Sequence, residues 1–515
     1  MTARFRDALR QKPPGYQFTI GRILAIYSGL MVTLLLAALD QTIVATALPA
    51  IVSDLGGITQ YSWVFTAYML TSTVTVPLYG KLGDVYGRKY LFLVSITIFL
   101  VGSALCGLAQ GMSQLVVFRA IQGIGAGGLF PLSLAVIGAI VPPRDRGRWQ
   151  GLIGAVFAAS SIAGPAVGGF IVDNTTWRWI FLVNLPVGGL ALVVIMLTMP
   201  RRTTRAEHSI DWLGAGLLAA GTGSLLLGLV WGSDFGWESG RVGVALAVAA
   251  ILLAAFAFVE RRVREPILPF DVLRNPVVAS SIACMALVGM AMFGTISYVP
   301  LFVQGVIGTS ATSSGVVLTP LILGAVGTSI LTGQLISRTG RYRWNVVLGP
   351  VVLTIGMLLL WRMNVDTTNR EAARNMVVAG IGIGAMMQVF VVSVQNAVPR
   401  ARIGSATALT QFGRQMGATI GVTIIGAIVN HGLPASARGS DATPVHRLPP
   451  ALRHTLAAAL HPAFLAAAVV AALVWVIAVL GVKEVELRQS VDEVAAGEAS
   501  AGSPPATAEP ATPAR

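Results

Sequence analysis

Charge is the scarcest commodity in this chain, for only 11% of its 515 residues are Asp, Glu, Lys or Arg. With 55% hydrophobic residues and a mean hydropathy of +0.75, that scarcity excludes an ordinary soluble domain and points to a polytopic membrane protein. Cysteine is nearly absent. Cys106 and Cys284 lie far apart inside apolar runs, which excludes a disulfide framework and a thiolate metal site and implies no redox chemistry. The histidines between His431 and His461, with His446 and His454, fit no standard ligand spacing, so no metal is expected. The glycine-rich stretches lie inside apolar runs and lack the lysine spacing of a phosphate loop, so ATP is not expected to drive the protein directly. No nucleophile and base stand in a recognisable constellation, and an enzyme is the weakest reading. The net charge of +14 does not mark a nucleic-acid binder, because the basic residues are scattered through short loops instead of gathered on one face.

What the chain has in quantity is apolar runs of spanning length. They fall near 23–51, 62–80, 90–110, 114–141, 149–172 and 178–199, then 212–232 and 242–259, then 277–305, 313–336, 344–363, 376–398, 403–430 and 462–482. That makes fourteen, arranged as six, two and six. Lys and Arg collect in alternate loops, at Lys81, Arg88 and Lys89, at Arg144, Arg146 and Arg148, and again at Arg338, Arg341 and Arg343. By the positive-inside rule these loops and both termini are cytoplasmic. Gly80, Leu82, Gly87 and Arg88 recur as Gly333, Leu335, Gly340 and Arg341 at a constant offset, so the two groups of six are repeats. The expected fold is all-α: two pseudo-symmetric six-helix bundles at 23–199 and 276–482, with two inserted helices and linkers at 200–275. Residues 1–22 form a cytoplasmic N-terminus, 431–461 an outer loop, and 483–515 a disordered tail rich in Ala, Glu, Ser and Pro. The preference for Arg over Lys, with abundant Ala, Gly and Val, suggests a GC-rich bacterial genome and hence the bacterial cytoplasmic (inner) membrane.

The first run carries Asp40 deep inside it. An ionisable group within a spanning helix costs on the order of 3 kcal/mol by insertion scales, so it faces a cavity or a partner. Two readings stand: a site for a proton or cationic substrate, or a carboxylate hydrogen-bonded to hold helices together.

The loop Gly80-Lys81-Leu82-Gly83-Asp84-Val85-Tyr86-Gly87-Arg88-Lys89 resembles the signature loop of the major facilitator superfamily, and nearly the whole chain is similar to that superfamily's fourteen-helix drug:proton antiporter family. The resemblance implies a latch between the halves, with Gly80, Asp84, Gly87 and Arg88 in it, against the plainer reading of a stabilising turn. Arg119-Ala120-Ile121-Gln122-Gly123 resembles the family's helix 4 motif. Asp40 lies about 10 residues before the outer end of its run and Arg119 about 5 residues after the start of its own, so at roughly 1.5 Å per residue both sit in the outer half at similar depth. Arg119 is therefore expected to tune the Asp40 proton site, directly or through water, or else to anchor helix packing. Gly154, Gly164, Pro165, Gly168 and Gly169 resemble the antiporter motif of the family's exporters, where small residues let helices approach and seal a seam; a generic packing face is the alternative.

The runs from 277 to 363 and 376 to 430 contain no Asp or Glu, and Arg414 is their main embedded charge. It either binds an anionic group or organises packing. Gln41, Gln122, Phe293, Tyr298, Gln388, Gln411 and Arg414 are the candidates to line a substrate cavity. The resemblance implies a monomeric proton-coupled exporter of small lipophilic compounds, without cofactor, driven by the proton gradient and in contact with membrane lipids. A dedicated exporter of an endogenous metabolite or lipid, or a membrane sensor, stays open.

Overall fold

A computed structural model describes residues 18–55, 63–200, 211–263, 266–268, 270–307, 311–399, 402–432 and 450–484. The readings for the extreme N-terminus, for the tail after residue 484 and for His446 lie outside them.

Among the described residues the chain forms fourteen long helices, and the fourteen apolar runs fall on them. In the first half these are α1 (Ile20–Leu55), α2 (Trp63–Tyr86), α3 (Arg88–Gly107), α4 (Met112–Ile140), α5 (Pro143–Asn174) and α6 (Asn184–Thr198). The turn Trp179–Leu182 leads into α6. Then come α7 (Trp212–Phe235) and α8 (Gly240–Glu260), followed by α9 (Pro276–Phe302), α10 (Ala311–Thr339), α11 (Arg343–Trp361), α12 (Asn369–Ala397), α13 (Ile403–Gly432) and α14 (Pro450–Gly481). Most of these sequences are apolar around their whole circumference, as helices surrounded by lipid and other helices must be.

Twelve helices among the described residues are long and apolar enough to cross a membrane. The two that fall short are α2 and α5. Helix α2 carries Thr66, Thr71, Ser72, Thr73 and Thr75 and ends in Lys81 and Asp84, while α5 opens with Arg144, Asp145, Arg146 and Arg148. Both pack extensively on the opposite half, α2 on α13 and α5 on α10, so their polar atoms meet protein where lipid would leave them unsatisfied. A second difference concerns the expected loop 431–461. Helix α14 begins at Pro450, not near 462, because Pro450 can open a helix and Pro462 is carried inside it. His461 of this added stretch meets the Met363 carbonyl oxygen at 2.6 Å.

The inserted helices α7 and α8 pack mainly on each other, and α7 also lies against α2 and α13, at the junction between the halves. Ser224 donates to the Ala245 carbonyl at 2.8 Å across that pair. The closest contacts between the halves gather at the basic-loop end of the bundle, and among the described residues α1 and α9 do not pack extensively on each other. The conformation is closed at the basic end.

Candidate functional site

Asp40 and Arg119 are brought into direct contact. Asp40 on α1 is 1% exposed and Arg119 on α4 is 0% exposed. Arg119 Nη1 donates to Asp40 Oδ2 at 2.6 Å and to Gln122 Oε1 at 2.7 Å. Gln122 Nε2 donates to Asp40 Oδ1 at 2.8 Å, and Asn184 Nδ2 reaches the same oxygen at 3.2 Å. The carboxylate thus accepts from three side chains on two helices. Arg119 and Gln122 share a face because three residues make nearly one helical turn, and Asn184 is aimed inward by the turn that precedes α6. Asn184 also donates to Ser103 Oγ at 2.9 Å, which donates in turn to the Phe181 carbonyl at 2.9 Å, so the network is anchored on α3 and on the α6 turn. Arg119 Nε donates to the Val64 carbonyl at 3.2 Å, and its guanidinium carbon lies 4.2 Å from the Tyr68 ring centroid. Its Nη2 is buried with no hydrogen-bond partner among the described residues.

A fully desolvated ion pair gains little net stability as a pair, but removing one partner leaves an uncompensated buried charge at a cost of about 3–5 kcal/mol. The arrangement is therefore sensitive to the protonation of Asp40. A protonated carboxyl turns one acceptor oxygen into a donor while Arg119, which keeps its charge, loses its counter-ion.

The second cluster joins the halves at the basic end. Asp84, in the last turn of α2, accepts from the backbone nitrogens of Gly404 and Ser405 at 3.0 and 2.7 Å and from Ser405 Oγ at 2.8 Å. These are the unsatisfied amides at the start of α13, where a carboxylate is favoured by the helix dipole. Arg88 Nη2 holds Asp84 at 3.1 Å and its Nη1 donates to the Ala135 carbonyl at 3.1 Å. Gly87 has φ of 96° between α2 and α3, which only glycine adopts cheaply, and Gly340 has φ of 69° at the equivalent turn of the second half. A reciprocal contact is made by the start of α5. Arg144 donates from Nε to the Ser337 carbonyl at 2.8 Å and from Nη2 to the Arg338 carbonyl at 2.9 Å, while Ser337 Oγ donates to Asp145 at 2.6 Å. Gln150 Nε2 donates to Gln395 Oε1 at 2.9 Å, and Gln395 Nε2 donates to the Leu134 carbonyl at 3.2 Å, closing the interface above.

A repeat that buries a carboxylate network in one half and clasps the two halves by reciprocal helix ends has a match among known proteins: the sequence model described as Major Facilitator Superfamily fits residues 30–422. The chain belongs to that superfamily. It is 37% identical over 406 residues to the multidrug transporter protein MdtP of Bacillus subtilis, which covers 79% of this chain and 75% of that protein. It is 39% identical over 402 residues to multidrug resistance protein 3 of the same organism, covering 78% of each. Among solved structures, the proton:xylose symporter XylE superposes with a TM-score of 0.64 at 14% identity, over 92% of this chain and 99% of that one. The human organic anion transporter MFSD10 superposes with a TM-score of 0.62 at 14% identity, over 91% and 100%. At that identity the two structures show the shared fold alone. This facilitator is a membrane transporter and not an enzyme.

The remaining expected residues are distributed unevenly. Gly80 crosses α13 so closely that a Cβ there would strike Ala408. Gly164 faces Thr42 of α1, two residues from Asp40, whereas Gly154 faces Val326 of α10 at 3.6 Å and Gly169 meets nothing within 4 Å. Gly168 is buried, and the Pro165 side chain lies outside the described residues. The motif is thus divided between two neighbours of α5. Gln122 does not line a cavity: it is 0% exposed and both ends of its amide serve the Asp40 network, because it lies one turn from Arg119. Gln41 is exposed, turned about 100° around α1 from Asp40. Gln388 is buried in α12, and Tyr298 is half-buried against Gly426. Phe293 lines a cavity of about 310 Å³ between α2, α7, α9 and α13. Gln411 accepts from Arg414 Nε at 3.1 Å.

Sequence reasoning missed Ser103, Tyr68, Gln150 and Gln395, neutral residues that no charge pattern distinguishes. It also missed the close approach of Gly147 to Gly333, whose Cα a Gly147 Cβ would meet at 3.3 Å. The spacing of Gly147, Gly151 and Gly154 along one face of α5 was the available signal.

Proposed function

We propose that the protein is a proton-coupled exporter of small lipophilic compounds, working by alternating access in the bacterial cytoplasmic (inner) membrane with its basic loops and both termini in the cytoplasm. The observation that carries this reading is the buried network of Asp40, Arg119, Gln122 and Asn184, a titratable carboxylate sealed within one half and away from the seam between the halves. Counting α2 and α5 as spans would give fourteen crossings and put most of the arginine-rich loops on one side, with 362–374 and 431–461 as the exceptions, in keeping with the positive-inside rule. The names of the B. subtilis relatives, a multidrug transporter and a multidrug resistance protein, favour drugs as the cargo.

In this reading the conformation described is the one open to the outside. Asp40 is ionised and satisfied by three donors; a proton arriving from outside neutralises it, frees Arg119 and Gln122 to rearrange, and changes the packing of α1 against α4 and α6. Return to the inward-open form requires the Asp84 and Arg144 contacts to break, and proton release inside accompanies substrate capture. The protein acts without cofactor, as a monomer in contact with lipid.

The test is lumenal pH in proteoliposomes under an imposed proton gradient, with lipophilic cationic, neutral and anionic compounds added in turn. Compound-dependent proton movement that Asp40→Asn abolishes is the expected result. Proton movement that survives in the folded Asp40→Asn protein overturns the assignment of Asp40.

A further inference from the structure

Among the described residues Arg414 of α13 is a cation without a counter-ion. It is 9% exposed. Among the described residues its hydrogen-bond acceptor is Gln411, and no carboxylate pairs with it. The helices of the second half carry one carboxylate, Glu371 in the first turn of α12, and residues 277–363 and 376–430 contain no Asp or Glu. Buried guanidinium groups are otherwise paired, because the unpaired charge is costly to desolvate. Arg119 shows the paired case in the same molecule. The Arg414 guanidinium is directed across the seam between the halves, 5.6 Å from the ring centroid of Phe130 on α4. Phe130 in turn meets Phe157 of α5 edge to face at 5.5 Å.

A second observation lies on the same stripe of α13. Residues four apart share a helix face, so Arg414, Ala418 and Val422 line up. Ala418 and Val422, with Thr419 and Thr423, form one wall of the 310 Å³ cavity, and Leu226 and Val230 of the inserted helix α7 form part of another. At about 1.5 Å per residue Ala418, the first cavity-lining residue of α13, lies roughly 6 Å along the helix from the Arg414 backbone, and the lining extends from there to Thr423. Its lining carries no charged residue. Cation at one end and apolar space at the other describe an amphipathic molecule with an acid group.

We infer that Arg414 and the cavity between α2, α7, α9 and α13 form a binding site for an amphipathic organic anion, its acid group on Arg414 and its apolar body against α7. This names a substrate class for the transport function proposed above and rests on that reading. It also gives the inserted pair a task, because α7 supplies a wall of the site. The same chemistry fits an anionic lipid and a soluble organic acid.

The experiment uses purified full-length protein in nanodiscs of zwitterionic lipid, dialysed to equilibrium against radiolabelled anilinonaphthalene sulfonate or N-phenylnaphthylamine, the same ring system without the acid, with empty discs subtracted. The wild-type protein binds the sulfonate at least about tenfold more tightly than the neutral amine, the scale of a charge-assisted contact. Arg414→Gln removes that preference and keeps neutral binding, Arg414→Lys retains part of it, and Leu226→Trp weakens both probes by filling the cavity. Absence of the preference in the wild-type protein overturns the inference whether or not any variant folds. So does an unchanged preference in Arg414→Gln, or loss of both probes in that variant with its melting temperature intact. Phosphatidylglycerol added to the discs distinguishes the sources: competition identifies a lipid occupant, and indifference a soluble acid, both on the same site. Asp40→Asn protein separates the two proposals. Sulfonate binding through Arg414 together with proton movement that ignores Asp40 sinks the coupling assignment alone, whereas Asp40-dependent antiport with no role for Arg414 in binding sinks this inference alone.

Discussion

Asp84 and Ser405 lie more than three hundred residues apart in sequence, yet the Asp84 carboxylate accepts both the backbone nitrogen of Ser405, at 2.7 Å, and its hydroxyl, at 2.8 Å. A side chain of one half therefore caps a helix of the other. Because the amides at the start of α13 have no partner within their own helix, the cap is strongest only while the halves are together at this end.

Removing that cap shifts the balance between closed and open forms. Asp84→Ala loses a helix cap and a dipole interaction, about 1–2 kcal/mol, which is roughly a tenfold change in the closed-to-open ratio. Pulsed electron resonance between spin labels at 148 and 341, with Cys106 and Cys284 replaced, gives the readout. A longer-distance population grows in the variant; an unaltered distance distribution rules the cap out as a latch.

Charge balance at Asp40 is open to a double-mutant cycle. Asp40→Asn leaves Arg119 buried and uncompensated, costing about 3–5 kcal/mol. Arg119→Gln alone has a similar effect with the opposite orphan. The double variant recovers most of the lost thermal stability but no proton-driven transport. Additive stability losses in the cycle contradict the pairing.

Overpacking the seam between α5 and α10 holds the basic end open. A Cβ at Gly333 would strike the Gly147 carbonyl, a backbone atom that cannot swing aside. Gly333→Leu accordingly costs about 1–3 kcal/mol in the closed form. A cysteine at Ser329, 4% exposed in this conformation, then reacts faster with a water-soluble maleimide. Equal labelling rates with glycine and leucine would show that the seam tolerates the insertion.

Acid sensitivity at the opposite end is assigned to Asp54. It accepts from Trp177 Nε1 at 2.8 Å and from Arg178 Nη1 at 2.9 Å, and the Trp177 bond, then the Arg178 bond, hold its carboxyl below the usual carboxylate range. A carboxyl lowered on folding contributes above its unfolded pKa of about 3.9, and the contribution fades as pH falls through the lowered folded value. The melting-temperature difference between wild type and Asp54→Asn is therefore constant from about pH 7 to about pH 5 and shrinks below about pH 4. A difference that grows on acidification reverses the sign and refutes the assignment.

The anomalies visible in sequence are those in which composition conflicts with environment. Asp40 and Arg119 stand out because charge inside apolar runs demands a partner, and their similar depth could be counted along two helices. Gln122 has no such signature. Its place in the network depends on which way α4 is rotated, and rotation is invisible in a run apolar on all sides. The same ambiguity concealed Gln395 and the division of the antiporter glycines between α1 and α10.

By itself the sequence determined the all-α membrane fold, the six-two-six order of its helices and the repeat, since apolar runs of spanning length leave the backbone no alternative to helix in lipid. It also marked Asp40, Arg119 and Arg414 as charges requiring an explanation. Only the tertiary structure decided that Asp40 and Arg119 have each other while Arg414 has no carboxylate among the described residues, and that Asp84 caps a helix of the opposite half. Those outcomes depend on helix rotation and on contacts between segments hundreds of residues apart, which no local periodicity specifies.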